Sequence, residues 1–99
     1  MNSQTAILEK NAEMLKSIGH PIRLCIIKKL FESGGCTITH MQTCMNASQS
    51  SLSQHVRTLK SCGIVKGTRQ GKEIVYQLIR EDIADIIKII FNERGQDNE

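Results

Sequence analysis

Residues 48–63 constrain the chain more than any other stretch. They read Ser48-Gln49-Ser50-Ser51-Leu52-Ser53-Gln54-His55-Val56-Arg57-Thr58-Leu59-Lys60 and close on Cys62-Gly63. Serine is a residue type that accepts from the unpaired N–H groups of a helix start, so Ser48 predicts a cap. Leu52, Val56 and Leu59 then recur at helical spacing and predict one buried face. The other face carries Gln49, Ser50, Ser53, Gln54 and Arg57. Short hydroxyls and planar amides are the groups that read base edges in a DNA major groove. The stretch therefore predicts a DNA-reading helix carried on a small scaffold.

The rest of the chain predicts that scaffold. A first helix spans roughly Thr5 to Ser17, with Ile7, Leu8, Met14, Leu15 and Ile18 apolar, and ends at Gly19-His20. Pro21 opens a second helix, where proline is best tolerated, and that helix runs to about Glu32 with Leu24, Ile27, Leu30 and Phe31 inward. Ser33-Gly34-Gly35 stops it. Cys36-Thr37-Ile38 reads as a short extended piece. Thr39 with Gln42 fits a capping box for a brief third helix, His40 to Met45, with Met41 and Met45 inward. Asn46-Ala47 is the turn into the polar-faced helix, which completes a helix-turn-helix.

After Gly63 the pattern turns to strands. Ile64-Val65-Lys66 is one short strand, and Glu73 to Leu78 is another, with Ile74, Tyr76 and Leu78 alternating against Glu73, Val75 and Gln77. Gly67 to Lys72 is a basic turn between them, placed as a wing that reaches phosphates or a minor groove through Arg69 and Lys72. A last helix, Arg80 to Asn92, carries Ile83, Ile86, Ile87, Ile89, Ile90 and Phe91. That is more apolar surface than a helix flanking a small core needs, and it predicts a homodimer formed with the first helix. The alternative is a deeply buried helix in a monomer.

The fold class is thus mainly α with a small β-hairpin, in the order α-α-α-α-β-β-α. The expected organisation is one domain over residues 1–94 and a flexible tail over 95–99. Ninety-nine residues hold a core adequate for one domain. The net charge is only +3, but its distribution is uneven. Over residues 49–80, Arg57, Lys60, Lys66, Arg69, Lys72 and Arg80 face Glu73 alone, while Glu81, Asp82, Asp85, Glu93, Asp97 and Glu99 gather later. A local basic surplus is the electrostatic footprint of nucleic-acid binding, although a solvated charged face is the plainer reading.

Other classes find less support. No apolar run approaches the roughly 20 residues needed to span a bilayer, and the N-terminus does not resemble a secretory signal. Cys25, Cys36, Cys44 and Cys62 are then expected as reduced thiols in a cytoplasmic protein. No Gly-rich phosphate loop, nucleophile–base pair or open metal triad points to an enzyme. A winged helix used only for protein contact is the runner-up.

Four segments in order resemble the ArsR/SmtB family of bacterial winged-helix repressors. They are Leu15 to Leu24, Ser48 to His55, Leu59 to Val65 and Arg69 to Leu78. The resemblance implies a homodimer and a palindromic double-stranded DNA operator, with repression relieved by an inducer. It places base contacts on Gln49, Ser50, Ser53 and Gln54, puts His55 and Arg57 near the DNA backbone, and assigns wing contacts to Arg69 and Lys72. The family's metal sites do not carry over. Residues 80–94 hold no histidine, and the positions of the family's Cys-x-Cys hold Thr37 and Thr39.

Zinc-like ions prefer imidazole and thiolate, so no metal or other cofactor is expected at those places. A non-standard metal site from Cys36, His40 and Cys44, spaced four apart, is the alternative. Cys44 and Cys62 read as small buried fillers. Cys25, beside Arg23 near a helix start, is the candidate redox thiol. The family's pairing with a late cysteine is closed to it, because nothing after Cys62 is a cysteine. His20 reads as a helix-entry residue, and Arg23 as either a phosphate contact or the partner of an internal carboxylate.

Overall fold

The structure, a computed structural model, describes residues 3–92. The expected tail at 95–99 lies outside the described residues. Five helices and a two-stranded antiparallel hairpin follow in the order α1 (Ser3–Ile18), α2 (Pro21–Ser33), α3 (Ile38–Cys44), α4 (Gln49–Ser61), β1 (Val65–Gln70), β2 (Glu73–Leu78) and α5 (Glu81–Ile90). Among the described residues, no helix is long and apolar enough to cross a membrane.

Local chemistry accounts for most of the boundaries. His20 caps α2 by accepting the Ile22 N–H on its Nδ1 at 3.1 Å, with Pro21 in the first turn. The Gly34 N–H closes the other end on the Leu30 carbonyl at 2.9 Å. The start of α3 differs from the expected one. Its cap is Thr37, whose Oγ1 accepts the His40 N–H at 3.1 Å, and Thr39 lies within the helix. A tertiary contact explains the shift. Cys36 pairs with Tyr76 through two backbone hydrogen bonds of 3.0 and 2.9 Å, so the extended piece ends at Cys36 and the helix starts directly after it.

The hairpin is longer and tighter than its apolar residues suggest. Val65 pairs with Leu78 and Gln70 with Glu73, which leaves Gly71-Lys72 as a two-residue turn. Gly71 has φ 65°, and no non-glycine among the described residues has positive φ. That matches a turn needing glycine at its first central position rather than at both. Gly67 serves a different purpose. A Cβ there would stand 2.8 Å from Ile74 Cγ2 and 2.9 Å from Tyr76 Cε1, so the bare backbone lets the Tyr76 ring lie across β1.

One core joins these elements. Ile26, Ile27 and Leu30 of α2, Met41 of α3, Leu52, Val56 and Leu59 of α4, Ile64, Val65, and Ile83 and Ile87 of α5 are all buried. Ile26 was not among the residues expected inward, whereas Leu24 and Phe31 are only half-buried. The expected alternation along β2 does not become an inside and an outside. Ile74 is exposed and Val75 to Leu78 are all half-buried, with Tyr76 and Leu78 packed against the core.

Candidate nucleic-acid interface

α4 is anchored by its apolar stripe. Leu52, Val56 and Leu59 are at most 1% exposed, and Ser48 Oγ accepts the Ser51 N–H at 3.1 Å to cap the helix. Gln49, Ser50, Gln54 and Arg57 are exposed, and Ser53 is half-buried. Gln49 is steadied from α3, since its Nε2 donates to Thr39 Oγ1 at 3.3 Å. The sequence reading missed this role of Thr39, because the partners are ten residues apart on different helices. A positioned amide loses less freedom on meeting a base edge than a free one.

Arg69 and Lys72 lie exposed on the outer half of the hairpin. Lys60 and Lys66 are exposed too, and extend the positive surface. Arg80 does not add to it. Its Nη2 and Nε donate to Asp82 at 2.6 and 3.0 Å, and this pairing holds the Asp82 carboxyl below the ordinary carboxylate range. The Asp82 carboxylate also accepts the Ile83 N–H at 2.8 Å, at the start of α5 where negative charge suits the helix dipole.

His55 is placed differently from the other α4 residues expected to meet DNA. It is half-buried and turned toward the α1–α2 corner, with its Nδ1 3.3 Å from Arg23 Nη1. Arg23 is half-buried and pairs with no carboxylate among the described residues. Its Nε donates to the Ser17 carbonyl at 2.6 Å. His20 sits as the expected helix-entry residue.

The cysteines also depart from expectation. Cys36 is buried, but Cys44 and Cys62 are exposed and fill no core space. Each closes a helix, Cys44 as the last residue of α3 and Cys62 as the cap residue of α4, and both of these helix ends face solvent. Burial pushes the Cys36 thiol up, whereas the Thr43 hydroxyl, with help from Lys29, brings the Cys44 thiol down. Cys25 is exposed on α2. Cys36, His40 and Cys44 do not form a ligand set. Cys36 is drawn into pairing with β2, and no three His, Cys, Asp or Glu side chains among the described residues converge as metal ligands.

Comparison with known proteins bears on the whole arrangement. Residues 20–66 match the model of the bacterial regulatory protein, arsR family. The HTH-type transcriptional repressor SmtB of Mycobacterium tuberculosis is 32% identical over 91 residues, covering 92% of this chain and 67% of that one. The transcriptional repressor PagR of Bacillus anthracis is 34% identical over 83 residues, covering 84% of this chain and 83% of that one. The crystal structure of PagR superposes with a TM-score of 0.79 over 87% of this chain and 98% of that one. The homodimeric winged helix-turn-helix DNA-binding domain of a possible ArsR-family regulator from Mycobacterium bovis, 22% identical, shares the fold at a TM-score of 0.82 over all of this chain and 91% of that one. With the capped polar-faced α4, the hairpin behind it and relatives matched over most of their length, the chain belongs to the arsR family of bacterial regulatory proteins.

Proposed function

We propose that the protein is a homodimeric, sequence-specific DNA-binding repressor. The observation that carries this reading is the two-sidedness of α4. One face is locked into the core, and the other presents Gln49, Ser50, Ser53, Gln54 and Arg57 beside a wing bearing Arg69 and Lys72. Gln49, Ser50, Ser53 and Gln54 read base edges, and Arg57, Arg69 and Lys72 neutralise phosphates. His55, turned to the α1–α2 corner, acts on α4 rather than on DNA. The relatives SmtB and PagR are named as transcriptional repressors, which supports the sign of regulation.

The homodimer rests on apolar surface that the protomer leaves in water. Ile7, Leu8 and Leu15 on α1 and Ile89 and Ile90 on α5 are each more than half exposed. Two-fold pairing through α1 and α5 covers them and presents two α4 helices to a palindromic operator, with half-sites on the order of 34 Å apart. Acting on the chromosome, such a protein works in the cytoplasm. The exposure of Cys25 supports a thiol-responsive release of DNA.

The test starts from duplexes enriched by the protein from a random library. Ser53→Ala and Gln54→Ala should each weaken binding by about 1–3 kcal/mol for every base edge the side chain no longer reads. Unchanged affinity in both would remove α4 as the reading helix. Peroxide added to wild type and Cys25→Ser decides the thiol response, which requires release from wild type alone.

A further inference from the structure

His55 leads to a cluster that DNA contact does not use. The His20 and His55 rings lie 4.5 Å apart between centroids, tilted by 40°. Arg23 reaches His55 Nδ1 at 3.3 Å through Nη1 and the Ser17 carbonyl at 2.6 Å through Nε. The Ile22 N–H donates to His20 Nδ1 at 3.1 Å. These contacts join the end of α1, the first turn of α2 and the middle of α4.

The donor and acceptor chemistry fixes the protonation states. A guanidinium has donors and no acceptor, so the His55 Nδ1 that meets it must offer a lone pair. A neutral ring with its proton on Nε2 satisfies that requirement, and an imidazolium does not. His20 Nδ1 accepts a backbone N–H, so it too carries no proton there. A proton on either Nδ1 sets donor against donor. The charged and titratable groups acting on His55 are His20 and Arg23, both from the α2 corner. From α1 the group reached through Arg23 is the uncharged Ser17 carbonyl, and on α4 the adjoining Gln54 and Val56 are uncharged, with Arg57 exposed. No carboxylate among the described residues acts on His55 to favour its cation. Burial, then His20 and then Arg23 hold the ring below the ordinary histidine value.

We propose that His20, Arg23 and His55 form a proton-sensitive latch that positions the recognition helix against the α1–α2 corner, so that DNA binding requires a neutral His55 imidazole. The proposal rests on the DNA-binding reading given above. As pH falls through the histidine range, the latch opens, α4 loses its fixed angle to the body and affinity drops. This opposes the usual trend, in which added positive charge strengthens binding to DNA.

The discriminating variant is His20→Asn/His55→Asn. Asparagine keeps an acceptor near the Nδ1 position and caps a helix well, but it takes up no proton. Anisotropy of an enriched duplex is measured at fixed salt from about pH 7.5 to about pH 5.5, across the histidine range. Wild type should lose affinity by about tenfold, the worth of one hydrogen bond to a charged group, while the variant stays flat. A wild-type affinity that is constant, or that rises as the imidazoles gain charge, overturns the proposal.

Two further readouts need no DNA. Nitrogen NMR of wild type at about pH 7.5 should show His55 with its proton on Nε2, and a proton on Nδ1 overturns the latch. Urea unfolding should weaken toward acid in wild type and less so in the variant; equal slopes also overturn it. If no duplex is enriched at any pH, the DNA-binding reading fails, and these two readouts still decide the latch.

Discussion

Replacing Ile89 by alanine should split the dimer while leaving the protomer folded. Ile89 keeps 73% of its surface in water, the largest value among the exposed large apolar residues described. Fully burying an isoleucine is worth about 1.5–3 kcal/mol, so covering what Ile89 exposes contributes about 1–2 kcal/mol. A two-fold interface uses the same patch on both protomers, which doubles the loss to about 2–4 kcal/mol per dimer. At about 1.4 kcal/mol per tenfold, the dimer dissociation constant should rise by a factor of about 30 to about 700. Sedimentation equilibrium measures it directly.

Ile87, on the same helix, is the internal contrast. It is 1% exposed, so Ile87→Ala creates a core cavity and should cost about 2–5 kcal/mol of protomer stability. If Ile89→Ala leaves the dimer constant unchanged, α5 is not the interface and the exposed isoleucines need another explanation. If Ile89→Ala instead unfolds the protomer, the assignment of that side chain to the surface is wrong.

The remaining predictions concern the wing, the cap and the core. Gly67→Ala should cost about 1–3 kcal/mol in urea unfolding, because the new Cβ meets Ile74 and Tyr76 at 2.8 and 2.9 Å and the hairpin must shift. Ser48→Ala removes the acceptor for the Ser51 N–H and should cost about 0.5–2 kcal/mol, read by the same assay. Stability should be full above about pH 6.5, the ordinary histidine value, and decline below it: His55 has a lowered value in the folded state, so the unfolded chain binds the proton first. Unfolding midpoints across that range check the sign.

The parts of the fold legible in the sequence are those where local chemistry and burial agree. α4 is the clearest, since Ser48 caps it and Leu52, Val56 and Leu59 mark its buried side at helical spacing. β2 runs over the expected residues, Glu73 to Leu78, with Tyr76 and Leu78 packed against the core and Ile74 left exposed. β1 was legible only at its start. Gly67-Thr68-Arg69-Gln70 has no core to cover, so its pairing with β2 leaves no hydrophobic signature. The cap of α3 was expected at Thr39 and lies at Thr37, because the pairing of Cys36 with Tyr76, forty residues away in sequence, ends the extended piece earlier.

The site divides the same way. The exposed amides and hydroxyls of α4 follow from its periodicity, as do the outward isoleucines of α5. The turn of His55 away from the other α4 polar residues does not, because its partner Arg23 is 32 residues distant and neither residue type announces the other. Cys44 and Cys62 were misjudged for a related reason: residue type favours burial, but the ends of short helices in a small body face water.

The central claim is that α4 reads bases while the wing holds phosphates, and sequence preference separates these roles better than affinity does. Enriched motifs from wild type, Gln54→Ala and Arg69→Ala/Lys72→Ala should be compared, with the salt dependence of binding measured for each. The account predicts that Gln54→Ala relaxes preference at one symmetric pair of operator positions and leaves the salt slope intact. It predicts that the wing variant keeps the motif and weakens binding to all sequences, with the salt slope reduced by about one for each phosphate the wing no longer neutralises. A Gln54→Ala protein that retains the full wild-type motif, or a wing variant that changes it, would contradict the account.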